Sequence, residues 1–165
     1  PRVISEVISA SERVAVPVLV DPKFRSFDLY KKVKLFKPNF KELVKGLDLD
    51  IKKKEIDKLA KAIKKFQLKQ QIENLLLTLS DQGVLNSGDD ELVHIPAVKR
   101  EITDVSGAGD TVIAVAALCF ISGLSPAESA AVSNLAGGQV CEKAGVVPVS
   151  SEKLLSECEE YFKSS

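Results

Sequence analysis

The sequence contains no methionine among its 165 residues, even at position 1, and opens on Pro1-Arg2 within what reads as the middle of a helix. Both features are expected of a segment of a longer protein. Cysteine is scarce: Cys119, Cys141 and Cys158 are odd in number, far apart and without a Cys-x-x-Cys pair. Such spacing argues against a disulfide framework or a zinc site and fits a reducing cytoplasm. Neither sign of charge is in excess, with 23 basic against 23 acidic residues. Composition therefore gives no reason to expect a nucleic-acid or membrane-surface partner. No secretory signal pattern is visible. The apolar run at 112–124 is shorter than the roughly 20 residues of a membrane span and reads as a core helix, so the chain is expected to be soluble and cytoplasmic.

What is present alternates between two periodicities. Val3, Ile4, Val7 and Ile8 have helical spacing, with Ser11, Glu12 and Arg13 leading out, and 14–20 is a nearly unbroken apolar run, the pattern of a buried parallel strand. Asp21-Pro22-Lys23 stops it. A second strand is expected at 33–37, and Pro38-Asn39 opens a helix through Val44. The basic stretch 52–69 also carries Leu59, Ile63 and Phe66 at helical spacing, so its lysines read as the solvated face of an amphipathic helix over 53–66. A strongly apolar strand follows at 72–79, then a turn at Asp81-Gln82-Gly83 and a hairpin pairing Val84-Leu85 with 92–95. His94 lies in that strand among apolar neighbours and reads as structural. Helices are expected at 109–122, 126–140 and 151–162, the second starting at Ser125-Pro126 and the third capped by Ser151. The length suits one domain, and the pattern predicts a three-layer αβα fold with a mainly parallel sheet covered on both faces. Ligands in such sheets collect at the carboxyl ends of the strands. Asp21, Lys23, Asn39, Thr78, Ser80 and the segment 104–110 all fall after expected strands.

The segment Asp104-Val105-Ser106-Gly107-Ala108-Gly109-Asp110-Thr111 carries the most chemistry. Its glycines allow a tight turn and a close approach of backbone N–H groups to a ligand. The apolar helix that follows puts those groups at a helix N-terminus, which favours an anion. A carboxylate at the same mouth would repel phosphate oxygens. Asp110 makes better sense as a base that takes a proton from an attacking hydroxyl, which suggests phosphoryl transfer.

This octet resembles the second signature of the ribokinase-like (PfkB-type) carbohydrate kinases. Val20-Asp21-Pro22-Lys23, Lys37-Pro38-Asn39-Phe40-Lys41-Glu42, Thr78-Leu79-Ser80-Asp81-Gln82-Gly83, Asn134 and Gly137-Gly138 follow the family's order. The resemblance covers all 165 residues, as the C-terminal half of a ribokinase-like kinase domain. Within the family these segments look most like the heptose-7-phosphate kinases of ADP-heptose and lipopolysaccharide precursor synthesis. The resemblance implies an ATP- and Mg²⁺-dependent sugar kinase with Asp110 as catalytic base. It implies phosphate contacts from Ser106, Gly107, Ala108 and Gly109, and ATP contacts from Lys23, Asn39, Thr78, Ser80, Gly83 and Asn134. Asn39 and Glu42 would organise the metal, and Asp104 either pins the loop or contacts a monovalent cation. Partners would be a small sugar phosphate and ATP, with a homodimer in a full-length parent. The family usually has glycine where this chain has Ser80, which puts the close backbone approach there in question. Most sugar contacts and the lid lie in the family's other half, so this chain alone is expected to be inactive. Alternatives are a nucleotide-binding or assembly module that has lost catalysis, or another member of the family such as a ribokinase, 1-phosphofructokinase or adenosine kinase.

Overall fold

The computed structural model describes residues 2–88 and 91–163, which divide into two compact units. Pro1–Leu79 with Leu85–His94 form the first, and Ser80–Val84 with Ile95–Ser165 the second. Pro1, read from the sequence as helix interior, lies outside the described residues.

The first unit opens with α1 (Arg2–Val14), followed by β1 (Leu19–Val20), β2 (Leu35–Phe36), α2 (Phe40–Gly46), α3 (Ile56–Gln70) and β3 (Asn74–Thr78). β4 (Val84–Gly88) and β5 (Glu91–Ile95) complete a sheet of order β1-β2-β3-β4-β5. β1, β2 and β3 pair in parallel, with Val20 opposite Phe36 and Phe36 opposite Leu75. The links from β3 to β4 and from β4 to β5 are too short for a parallel crossover, so the sheet is mixed. Within α3, Leu59, Ile63 and Phe66 are buried while its lysines stay in solvent, as the helical spacing predicts. They join Phe27, Phe36, Leu75 and Leu77 in the core. Phe27 meets Phe36 edge-to-face at 4.9 Å, and Phe66 lies 5.3 Å from Phe36.

The apolar run 14–20 departs from expectation. α1 continues to Val14 and stops at Ala15, whose φ of 53° is left-handed. Pro17 then deprives the segment of an N–H donor and biases Val16 away from helix. Only Leu19 and Val20 remain to form a strand, and Val14 and Val16 are exposed. His94 is also exposed rather than packed among apolar neighbours.

The second unit contains α4 (Ala108–Ile121), α5 (Pro126–Val140) and α6 (Ser151–Lys163). Ser125 and Glu128 cap α5 reciprocally, with Pro126 in its first turn. The cap of α6 is Ser150 rather than Ser151: its Oγ accepts from the Lys153 N–H at 3.3 Å. The apolar length of α4 and α5 comes from packing on each other. A Cβ on Gly137 would lie 2.6 Å from Val112 Cγ2, so a side chain there would force Val112 or the helices themselves to shift. Arg100 ties the unit together through Glu142 at 2.7 Å and a bidentate pair with Glu157 at 2.8 Å. Those carboxylates raise the guanidinium's proton affinity further, and Gly138 leaves room beneath it. No helix among the described residues is long and apolar enough to cross a membrane.

Candidate functional site

In the first unit, register alone brings four of the expected residues together. Parallel pairing of β1, β2 and β3 places their carboxyl ends side by side, and the chain leaves them through Asp21-Pro22-Lys23, Lys37-Pro38-Asn39 and Thr78. A further bridge joins Asn39 to Thr78, whose N–H donates to the Pro38 carbonyl at 3.1 Å. Asn39 then caps α2. Its Oδ1 accepts from the Glu42 N–H at 2.9 Å, and Glu42 Oε2 accepts from the Asn39 N–H at 2.9 Å. The Lys23 ammonium stands 3.5 Å from the other oxygen of Glu42.

As it stands, Asn39–Glu42 is therefore a capping box, the plain reading of those two residues. No group of three or more acidic, cysteine or histidine side chains among the described residues could cage a metal. The single carboxylate still suits Mg²⁺, which keeps several waters and binds through one or two carboxylates plus substrate phosphates.

Asp21 and Lys37, which lie in separate motifs of the sequence, are joined in the structure. The Lys37 ammonium lies 3.1 Å from Asp21 Oδ2, and Lys37 is only 2% exposed. The pair braces the carboxyl ends of β1 and β2, from which Lys23 and Asn39 project. A lysine closing an apolar strand just before Pro-Asn was the available signal, but its partner depends on register.

In the second unit the octet does not follow a strand directly. Irregular chain separates β5 from it, and the turn is made by its own side chains. Asp104 Oδ1 accepts from both the N–H and the hydroxyl of Ser106, at 3.0 and 2.8 Å, while Oδ2 accepts from the Gly145 N–H at 2.9 Å. These bonds, that from Gly145 first, hold the Asp104 carboxyl below the usual carboxylate range. With both oxygens engaged, Asp104 pins the loop.

Gly107 follows with φ 78°, a left-handed residue that turns the chain into α4. The Ala108 N–H is committed to the Val105 carbonyl at 3.3 Å. The N–H groups of Gly107, Gly109 and Asp110 carry no hydrogen bond among the described residues, as a helix start leaves them. The exposed Asp110 carboxylate has neither hydrogen bond nor ion pair there. A free carboxylate beside free N–H donors can accept a proton next to a bound anion.

The expected nucleotide residues Gly83 and Asn134 meet on one segment of backbone. A Cβ on Gly83, at φ 82°, would lie 2.1 Å from the Ile95 carbonyl oxygen, so glycine is obligatory there for packing alone. The Asn134 amide donates to the Pro96 carbonyl at 3.0 Å. Ser80 sits at φ 56°, the left-handed region in which glycine costs least. Serine thus keeps the glycine-type backbone. Burial pushes the thiols of Cys119, Cys141 and Cys158 up, which suits packing rather than reactivity.

Known proteins resemble this chain in sequence and fold. Residues 2–153 match the model of the pfkB family carbohydrate kinases. The bifunctional protein HldE of Sulfurimonas denitrificans (strain ATCC 33889 / DSM 1251) is 41% identical over 158 residues, covering 96% of this chain and 32% of that protein. HldE of Geotalea uraniireducens (strain Rf4) is 36% identical, covering 95% of this chain and 32% of that protein. Among solved structures, phosphofructokinase-2 from Escherichia coli in complex with potassium superposes with a TM-score of 0.85 at 19% identity, over 97% of this chain and 52% of that one. Ribokinase of Arabidopsis thaliana complexed with ribose and ATP gives 0.80 at 19% identity, over 95% of this chain and 52% of that one. The chain thus spans about a third of its curated relatives and half of the solved structures. Their shared fold is the ribokinase-like α/β fold expected from the motifs. Given the ordered motifs, the glycine-turned start of α4 and the family match over nearly its whole length, the chain belongs to the pfkB family of carbohydrate kinases.

Proposed function

We propose that this chain is the catalytic-base half of an ATP-dependent sugar kinase that converts heptose 7-phosphate to heptose 1,7-bisphosphate for ADP-heptose synthesis. The observation that carries the reading is the free, exposed Asp110 carboxylate beside the uncommitted N–H groups of Gly107 and Gly109 at the mouth of α4. Asp110 takes the proton of the attacking sugar hydroxyl. The hydroxyl oxygen then bonds to the γ-phosphorus, the bond to the β,γ-bridging oxygen breaks, and ADP leaves. The N–H donors of Gly107 and Gly109 face the charge that spreads over the equatorial oxygens. Ser106 and Ala108, whose N–H groups are used within the turn, serve by shaping it.

Lys23, Asn39, Thr78, Ser80, Gly83 and Asn134 are assigned to ATP. Lys23 acts through its exposed ammonium and Ser80 through its hydroxyl, while Gly83 and Asn134 hold the backbone near Pro96. Glu42, with Asn39, would hold Mg²⁺ through water, and the ion when bound neutralises the phosphates. The free thiols of Cys119, Cys141 and Cys158 support a cytoplasmic setting.

Heptose 7-phosphate as the acceptor rests on the motifs at 20–23, 37–42 and 104–111 and on the HldE relatives. The test is phosphorus NMR of a kinase domain carrying this chain with Mg²⁺-ATP and, separately, heptose 7-phosphate, ribose or fructose 1-phosphate. Transfer to heptose 7-phosphate, at least about tenfold faster than to the others, is expected. Preference for another sugar reassigns the substrate, and no transfer to any overturns the kinase reading. The isolated chain should transfer phosphate to none of them, because positioning of the acceptor supplies several kcal/mol of barrier reduction.

A further inference from the structure

The chain enters the octet through a segment that α6 holds in place. The Arg100 side chain is 6% exposed, and its guanidinium donates to both Glu157 oxygens at 2.8 Å and to Glu142 Oε1 at 2.7 Å. Lys153 pairs with the same two carboxylates, so two cations balance two anions. A bidentate pair of this kind fixes geometry as well as charge. Glu157 and Lys153 belong to α6, none of whose residues is buried, so the ions carry much of its attachment. Gly138 keeps a slot open for the guanidinium, since a Cβ there would lie 2.8 Å from Arg100 Nε.

The backbone carries this order from Arg100 and Glu142 to the octet. The Thr103 and Asp104 N–H groups donate to the Cys141 carbonyl at 2.9 and 3.2 Å, and the Thr103 hydroxyl donates to the Glu142 carbonyl at 3.0 Å. Asp104 then accepts from the Gly145 N–H. Val146 stands against Gly107, where an added Cβ would lie 3.1 Å from its Cγ1.

We propose that Arg100 is a positioning residue for phosphoryl transfer. With Glu142 and Glu157 it clamps the segment 100–106, and so sets where α4 begins and where the Asp110 carboxylate and the Gly107 and Gly109 N–H groups stand. The proposal rests on the reading of Asp110 as the base. Arg100 acts through the loop, because its guanidinium is enclosed by the two carboxylates and Gly138. Loosening the clamp displaces base and donors without removing either. A misplacement of about 1 Å can cost about 10²-fold in rate. The ATP contacts assigned to Lys23, Asn39 and Thr78 lie in the first unit and do not depend on the clamp.

The test introduces Arg100→Ala and Glu157→Gln into a kinase domain carrying this chain. In Arg100→Ala, kcat should fall by about 10- to 100-fold while KM for Mg²⁺-ATP stays within about twofold. Glu157→Gln should show a smaller fall of the same kind. Added guanidinium ion should restore part of the rate to Arg100→Ala, in the slot beside Gly138, and none to Glu157→Gln. Amide hydrogen exchange gives a reading without turnover. Thr103, Asp104 and Gly145 should exchange faster in both variants, while the amides of α5 keep their wild-type protection. Glu157→Gln preserves side-chain size, so it answers even where Arg100→Ala fails to fold. Unchanged kcat in Glu157→Gln, a loss carried by KM with kcat kept, or unchanged exchange at Thr103 and Asp104 would overturn the proposal. A wild-type domain that transfers no phosphate fails the kinase reading by itself, and the exchange comparison still decides whether Arg100 holds the octet.

Discussion

The Gly145 N–H donates to Asp104 Oδ2 at 2.9 Å, joining the start of the octet to a loop 41 residues further along the chain. With Ser106 on its other oxygen, Asp104 sets the turn that precedes Asp110. A carboxyl held below its ordinary value contributes stability that is present above the unfolded pKa and lost as pH falls through the lower folded one. The wild-type chain should therefore lose stability below about pH 4. Glu142, held low by Lys153 and then Arg100, contributes in the same direction. Asp104→Asn should be less stable at pH 7 and should lose less on acidification. Urea midpoints measured from pH 7 to pH 3 check this, and parallel curves for the two proteins would contradict it.

The buried Lys37 ammonium has the Asp21 carboxylate 3.1 Å away. Asp21→Asn strands a buried cation and should cost about 3–5 kcal/mol, the usual penalty for breaking such a pair. Lys37→Met strands a carboxylate that is 27% exposed, and should cost less. The double variant should recover part of the loss. Chemical denaturation of all four proteins gives the coupling directly, and additive single effects would refute the brace.

Gly83 and Ser80 have positive φ angles of 82° and 56° but should respond oppositely to substitution. Gly83→Ala drives a Cβ into the Ile95 carbonyl and should destabilise the fold strongly. Ser80→Gly relieves a left-handed serine and should be neutral or stabilising by up to about 1 kcal/mol. Calorimetric melting temperatures decide both. A stabilising Gly83→Ala would mean that the close approach to Ile95 is wrong.

Much of this was legible because local pattern and physical cause coincide. The spacing of Leu59, Ile63 and Phe66 locates the buried face of α3, and Ser125-Pro126 with Glu128 marks the start of α5. The octet declares its own turn through Gly107. Three features were not legible. The run 14–20 has strand composition, yet Ala15 and Pro17 punctuate it, and most of it stays exposed. The pairing of Lys37 with Asp21 depends on which strands are neighbours, which composition does not encode. The Asp104–Gly145 bond likewise joins distant parts of the chain. Asn39 and Glu42 show a different limit. One pair of residues satisfies both a helix cap and a metal-site motif, and the spacing is the same for each.

The account stands on Asp110 as the base. The direct measurement compares turnover and ATP binding of a kinase domain carrying this chain with those of its Asp110→Asn variant, which keeps the shape and removes the proton acceptor. The rate constant for phosphoryl transfer should fall by about 10³-fold, within the span typical of a lost general base, while calorimetric affinity for Mg²⁺-ATP stays within about twofold. Turnover near the wild-type rate would contradict the assignment and leave the start of α4 a phosphate cradle without a base.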